Sequence, residues 1–576
     1  MTGVRPDDSS GSASTPDPVA PNGAAAAEQA SVVTPAPEDA GASGSPSPVG
    51  AAFVALGILL SRLFGLVRTR VVASSFGVES VAADAFAAAL RIPNFLQNLF
   101  GEGVLSASFI PVYSGLLGEG KSREADRLAG AVFAILALLT ALLVLAGILA
   151  APFLVDVIAG GGFTGERREL TIRLVRIIFP GTGLLVISAW CLGILNSHRR
   201  FFLPYAAPVV WNSAIIAALI LGASRTDMNG LAVWAAWGVL AGSVLQLVVQ
   251  LPTVLSIARQ LSLRVSRKSA ALRQVVRNFL PATLSRGVAQ VSAYIDVMIA
   301  GNLPLGAVAA LTYAQTIYLL PVSLFGMSIS AAELPEMSRE SRLDADGGSA
   351  PDAAAAAALR ERLASGLRRV AFFVVPSAAA LLLLGDVVAG ALLQTGSFGR
   401  EDSLLLWAVL AGSSVGLLAT TMARLHVSAF YALRDARTPL RVALVRITVA
   451  VSLGLTFAFL GPRLLGVDPR WGVAGLTLAS GLAGWLELAA LRHLLAHVTG
   501  SIPFGVRQVA VLWACALAAG AAAWAVKLLV GVDTLHPVLF AAFVLGTFAA
   551  VYGVTTLAAG VAEARALAAR AGIGRR

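Results

Sequence analysis

From residue 53 to residue 562 the chain alternates long apolar stretches with short polar ones. A helix needs about 20 apolar residues to cross the hydrocarbon core of a bilayer. Fourteen stretches meet that length. The first seven lie near 53–73, 82–117, 128–158, 172–196, 202–223, 229–257 and 275–301. The others lie near 305–333, 367–394, 402–431, 439–461, 471–497, 507–530 and 537–562. All are apolar on every side and lack period-2 alternation, which excludes a membrane β-barrel. The pattern predicts an all-α polytopic membrane protein with 14 transmembrane helices.

The polar connections divide into two kinds. Every second one is basic: Lys121, Arg123 and Arg127 in one, Arg199 and Arg200 in the next, then a run from Arg259 to Arg277. The opposite connections are poorer in bases and hold Arg167, Arg168 and Arg173, then Arg225, Arg400, Arg463 and Arg470. Connections rich in Lys and Arg stay in the cytoplasm. Both termini are therefore expected there.

Composition agrees with this reading. Of 576 residues, 57% are hydrophobic and 13% charged, whereas soluble domains carry about 25% charged residues. The net charge of +11 follows from the topological bias and calls for no nucleic acid. Two cysteines, Cys191 and Cys515, are far apart in apolar stretches and form neither a redox motif nor a metal motif. Residues 1–50 differ from the rest, being rich in Ala, Gly, Pro and Ser, free of aromatics, and of net charge −5. Such a segment buries too little apolar surface to offset its ordering entropy, and a disordered cytoplasmic tail is expected.

A weak internal repeat organises the remainder. Asn196–Pro204 (NSHRRFFLP) closes one run and opens the next, as Tyr431–Pro439 (YALRDARTP) does about 230 residues later. Ile92-Pro93, Gly103 and Pro111 are echoed by Leu320-Pro321, Gly326 and Pro335. Two repeated helix bundles with a site between them are common in secondary transporters. The expected layout is a first lobe over 51–275, a second over 276–500, and two additional helices with a cytoplasmic end over 501–576.

Ionisable groups inside the runs are costly, so each is a functional candidate. The first run holds Arg62 midway, with Arg68 and Arg70 beyond it. The second holds Asp84 and Arg91, seven residues apart and so within about 20° of each other on a helix. Asn98 and Glu102 continue that stripe, and Pro93 is expected to kink or interrupt the helix. A polar stripe in an apolar helix faces protein or water rather than lipid. For Asp84 and Arg91 an internal ion pair is the alternative to a place in a wet cavity. Arg286 and Asp296 follow in the seventh run, Arg424 in the tenth and Arg446 in the eleventh. Asp296 suits either a cation or a neighbouring arginine. Together these groups predict a cationic cavity, and guanidinium forks match phosphate and pyrophosphate.

Two motifs carry no chemistry in this context. Gly160–Gly165 fits GxGxxG but follows a membrane run rather than a strand. Gly412–Gly416 fits GxSxG but lies inside a run, where small residues serve helix packing.

The residues resemble a known family. Ser61–Arg68 (SRLFGLVR), Ala83–Phe86 (ADAF) and Arg91–Asn94 (RIPN) through Phe100–Gly103 (FGEG) are similar to the MurJ (MviN) lipid II flippases. The likeness continues through Gly193–Asn196, Pro208–Asn212, 313–335 and Phe430–Pro439, and spans about 51–500. The wider group is the multidrug/oligosaccharidyl-lipid/polysaccharide exporter superfamily. The resemblance implies a transporter, not an enzyme, in the bacterial cytoplasmic (inner) membrane. It would move the undecaprenyl-pyrophosphate-linked peptidoglycan precursor, lipid II, between leaflets by alternating access. The implied substrate-binding set is Arg62, Arg68, Asp84, Arg91, Asn94, Glu102 and Arg424. Implied partners are lipid II, membrane lipids and the cell-wall synthesis machinery. No cofactor is implied beyond a monovalent cation, for which Asp296 is the available acid.

Three positions depart from the family pattern: Gln97, Asn98 and Thr316 stand where relatives often carry arginine. That shifts the expected clamp onto Arg62, Arg68 and Arg91. The alternatives weighed are an exporter of another polysaccharide lipid or drug, and a non-transporting cell-wall scaffold. A drug-cation exporter would place acids where this chain places arginines.

Overall fold

The computed structural model describes residues 48–570, apart from 267–268, 331–332, 335–336, 338–352, 434, 502–504 and 532–534. The expected tail falls outside the described residues up to position 47, as do Arg267, Lys268, Arg339, Arg342 and Arg434. The described residues contain helices and no strand.

The first lobe comprises α1 (Pro48–Phe76), α2 (Val81–Phe100), α3 (Glu102–Ser108), α4 (Ile110–Gly118), α5 (Ser122–Leu149), α6 (Ala151–Ile158), α7 (Gly165–Ser197), α8 (Phe202–Gly222) and α9 (Met228–Ile257). Next come α10 (Ala270–Gly301) and α11 (Ala307–Pro321), the latter continued by a π-helical turn over Val322–Met327. The second lobe is completed by α12 (Ala353–Leu393), α13 (Arg400–Ala432), α14 (Arg437–Leu455) and α15 (Gly472–Thr499). Finally, α16 (Val506–Val530) and α17 (Pro537–Ala558) pair with each other and lean on α12.

Twelve helical segments among the described residues are long and apolar enough to cross a membrane. They coincide with twelve of the fourteen sequence runs. The other two runs, α1 and α10, have the length, 29 and 32 residues, and carry Arg62, Arg68 and Arg70 or Asp296. A row of exposed leucines on α5 (Leu138, Leu142, Leu145 and Leu149) is what a lipid-facing surface requires. The chain is a multi-pass membrane protein.

The second run breaks in a different place from that expected. Pro93 sits inside α2, which continues to Phe100. The break comes at Gly101, where an added Cβ would lie 2.3 Å from the Gln97 carbonyl oxygen. A residue without a Cβ is needed for that turn, so glycine rather than proline sets the joint.

Small residues bring helices together. Gly412 and Gly416 of α13 press on α15, and a Cβ at Gly416 would stand 2.4 Å from the Gly481 Cα. The GxSxG match is thus a packing face. The glycine run after α6 is likewise steric. A Cβ at Gly162 would meet the Gly301 carbonyl oxygen at 2.4 Å, and Gly160 adopts a left-handed φ of +81°. The two similar sequence segments both fall at helix–helix junctions: α7 turns into α8 after Ser197, and α13 turns into α14 after Ala432.

One helix divides its packing between lobes. Leu272 and Val275 of α10 belong to a core with Leu105, Phe109 and Trp190, and Phe279 stacks on Phe100 at 6.1 Å. At its other end Val297, Ile299 and Ala300 join a larger core that takes in residues of both lobes, among them Phe86 and Leu311.

The lobes meet along a seam where α1 ends and α2, α7 and α11 begin. Arg70 donates to the carbonyls of Ala391 (2.8 Å) and Leu392 (3.0 Å), the negative end of α12. The Ser397 amide donates to the Ser74 carbonyl at 2.8 Å, and Arg470 pairs with Glu79 at 3.1 Å. Gly301 lies so close to Ala159 that a Cβ could not be inserted.

Candidate functional site

Arg62 is the middle residue of α1 and points across to the second lobe, where its guanidinium donates to the Ser323 hydroxyl at 2.9 Å. Ser323 is presented by the π-helical turn, whose wider winding re-aims side chains and is frequent at functional sites. Six residues further along, Arg68 lies over the Trp211 ring of α8, 5.1 Å from its centroid. Cation–π contact lowers the cost of a desolvated guanidinium without neutralising it. Among the described residues neither Arg62 nor Arg68 has a carboxylate partner.

Arg91, halfway along α2, faces the same seam from below Asp84. Its guanidinium donates to the Gln315 side chain of α11, and its carbonyl accepts from the Tyr294 hydroxyl of α10 at 2.8 Å. Three cations of the first lobe therefore project toward neutral or aromatic partners, two of them across the lobe boundary.

Asp84 does something else. It is fully buried and pairs with Arg167 at 2.6 Å. Its carboxylate also accepts the amides of Gly306 and Ala309, each at 2.8 Å, and so caps α11 of the opposite lobe. Asp84 therefore forms an internal ion pair that holds helices together, but with Arg167 of α7 and not with Arg91. Alignment on one helix face leaves Asp84 and Arg91 two turns apart, and each finds a nearer partner on another helix. Tyr313 extends this contact by donating to the Gly77 carbonyl at 3.3 Å.

The remaining candidates are spread more widely. Asn94 is half-buried one turn beyond Arg91, and half-buried Glu102 opens α3 after the Gly101 joint. Arg424 and Arg446 lie in the second lobe together with Glu487 of α15, which pairs with Arg446 at 3.4 Å. Tyr318 shares a hydrogen bond with Thr420 at 3.1 Å on the same side. Asp296 of α10 lies within electrostatic reach of Arg446 and Arg91. Arg286 has its side chain outside the described residues. No group of three or more His, Cys, Asp or Glu suited to a metal ion occurs among the described residues.

Sequence reasoning overlooked several residues. Arg167 counted only as a connection base, because its partner is 83 residues away in the chain. Glu487 stands inside an apolar run and satisfies the rule that singled out Asp84; that signal was readable. Ser323, Gln315 and Tyr294 are neutral residues on other helices and give no sequence signal of their own.

A multi-pass bundle with arginines reaching across it at mid-helix depth, to Ser323 and Gln315, fits the class of membrane transporters. The family model described as "Lipid II flippase MurJ" matches residues 72–546. A probable lipid II flippase MurJ of Rhizobium tropici is 31% identical over 439 residues, covering 75% of this chain and 77% of the relative. The lipid II flippase MurJ of Burkholderia cenocepacia is 30% identical over 434 residues, covering 74% and 80%. A solved lipid II flippase MurJ in an inward closed conformation matches with a TM-score of 0.70 at 22% identity, covering 88% of this chain and 98% of that one. An inward-facing multidrug resistance transporter of the MATE family shares the fold more distantly, with a TM-score of 0.57 at 16% identity, covering 78% and 98%. The chain belongs to the lipid II flippase MurJ family.

Proposed function

We propose that this protein flips lipid II, the undecaprenyl-pyrophosphate-linked disaccharide-peptide, from the inner to the outer leaflet of the bacterial inner membrane by alternating access. The observation that carries this reading is Arg62, a cation midway through a membrane helix that reaches a serine of the opposite lobe and pairs with no carboxylate among the described residues. A guanidinium in that position has its fork available to a diphosphate once the lobes part.

Arg68 and Arg91 supply the adjoining positive charge, with Asn94 and Glu102 beside the sugar–peptide head and Arg424 across from them. Gln97, Asn98 and Thr316 leave the clamp on Arg62, Arg68 and Arg91. Asp84 acts on the substrate indirectly, by holding the seam that must open for release. Asp296 is the acid available to a monovalent cation, which would compete there with Arg446 and Arg91. The charge asymmetry of the connections supports cytoplasmic termini, which puts the closed seam at the outer face. The flipped precursor would then be consumed by the cell-wall synthesis machinery.

Complementation tests the reading. In a flippase-depleted strain, Arg62→Ala and Arg68→Ala should each fail to restore growth while accumulating in the membrane normally. Growth restored by both at normal levels would favour a scaffold over a flippase.

A further inference from the structure

Four arginines crowd the first eleven positions after the start of α7, at an end of the bundle otherwise poor in bases: Arg167, Arg168, Arg173 and Arg176. Two are accounted for. Arg167 neutralises Asp84, and Arg168 makes a two-pronged bond to Asp156 at 2.6 and 2.8 Å. Arg173 and Arg176 are exposed and form no ion pair among the described residues. Both line a cavity of about 540 Å³ with Glu169, Pro152, Ile177 and Trp237.

That cavity opens on the lipid side. Leu149 and Phe153 beside it are 71% and 67% exposed, and Trp237 is 55% exposed, values that only an acyl environment tolerates for a cluster of this kind. Its depth is set by the helix. At about 1.5 Å per residue, α7 is roughly 50 Å long and overshoots a core of about 30 Å by roughly 10 Å at each end. Arg173 then lies close to the hydrocarbon boundary and Arg176 about one turn inside it. Helical side chains slant toward the helix amino terminus, here the membrane surface, so both guanidiniums rise to phosphate level while their stems stay in the apolar layer. Trp237 sits where an interfacial indole belongs.

The order of groups along α7 matches a headgroup. From the helix start inward along α7 come the carboxylate Glu169, the two guanidiniums and then Ile177, with Trp237 and Pro152 completing the apolar lining. A phosphatidylethanolamine presents an ammonium, a phosphate and acyl chains in the same order. We propose that the α6–α7–α9 groove binds an ethanolamine phospholipid in the leaflet at that end, with Arg173 and Arg176 on its phosphate and Glu169 on its ammonium. A glycerol headgroup offers Glu169 only neutral hydroxyls, so it lacks the charge-assisted bond an ammonium would make.

The test is native mass spectrometry of the purified full chain with added phosphatidylethanolamine, phosphatidylglycerol or inorganic phosphate. The wild type should retain phosphatidylethanolamine in preference to phosphatidylglycerol. Arg173→Gln with Arg176→Gln should weaken that retention by about tenfold or more, the worth of charge-assisted bonds. Glu169→Gln should bring the two lipids to parity, and Arg225→Gln, a base at the same end beside Trp234, should change nothing. All four positions are exposed, so the fold should survive, and a single size-exclusion peak checks it. Undiminished phosphatidylethanolamine retention by the double variant would overturn the proposal. So would equal retention of phosphatidylglycerol by the wild type, or inorganic phosphate displacing the lipid completely.

Discussion

Asp84 and Gly306 are 222 positions apart in the chain, yet the carboxylate of one accepts the amide of the other at 2.8 Å. Gly306 has a left-handed φ of +94° and begins α11, so Asp84 caps a helix in the other lobe while holding Arg167 in its own. One side chain thereby joins the two halves of the molecule at a single end.

That arrangement predicts an asymmetric response to substitution. Asp84→Ala strands a buried guanidinium and two amides and should cost about 3–5 kcal/mol, read as a large fall in detergent thermostability. Exchanging the charges, Asp84→Arg with Arg167→Asp, should not restore it, because an arginine cannot accept from Gly306 and Ala309. Full recovery by the exchange would show that charge alone matters.

The glycines at the seam predict a conformational effect. Gly301→Ala places a Cβ where the Ala159 carbonyl stands and should favour the state in which this end is parted. With cysteine introduced at Ser397, labelling from that side should rise severalfold over the same cysteine in the wild type. Both native cysteines are buried, so the background is low. Unchanged labelling would mean the contact is not a gate.

Much of the fold is written in the hydrophobic pattern, and the exceptions have physical reasons. Runs such as 229–257 and 507–530 match α9 and α16 to within a residue because their ends are marked by polar caps and glycine. Pro93 stays within a continuous helix, whereas Gly101 ends it by close approach of its own backbone, which a proline-based reading does not locate. The arginines were legible as misfits in apolar surroundings. Their partners were not, since a serine on a π-helical turn or a tryptophan on α8 becomes relevant only through tertiary packing. Arg167 shows the converse, a base assigned to topology that the fold spends on a buried carboxylate.

Ser323 predicts which partner of the α1 bond matters. A neutral hydroxyl can be lost cheaply, so Ser323→Ala should leave flipping within about threefold of wild type, the worth of one ordinary hydrogen bond. Arg62→Gln keeps the size and a donor but loses the charge, and should abolish detectable flipping. Equal defects in both would make the bond a structural tie and not a substrate clamp.

Charge movement gives a fourth expectation. Carrying a net anion outward is favoured by an inside-negative potential, at about 2.3 kcal/mol per charge per 100 mV. Collapsing the potential with valinomycin and potassium should slow outward transport in vesicles. A rate indifferent to the potential would remove this coupling.

The account rests on mid-helix arginines meeting a diphosphate, and leaflet-resolved accessibility of lipid II addresses it most directly. In cells relying on the Arg62→Ala protein, the precursor should accumulate where an externally added modifying enzyme cannot reach it. Cells with the unaltered chain should expose it. External exposure of lipid II at the normal level with Arg62→Ala as the sole copy would contradict the account.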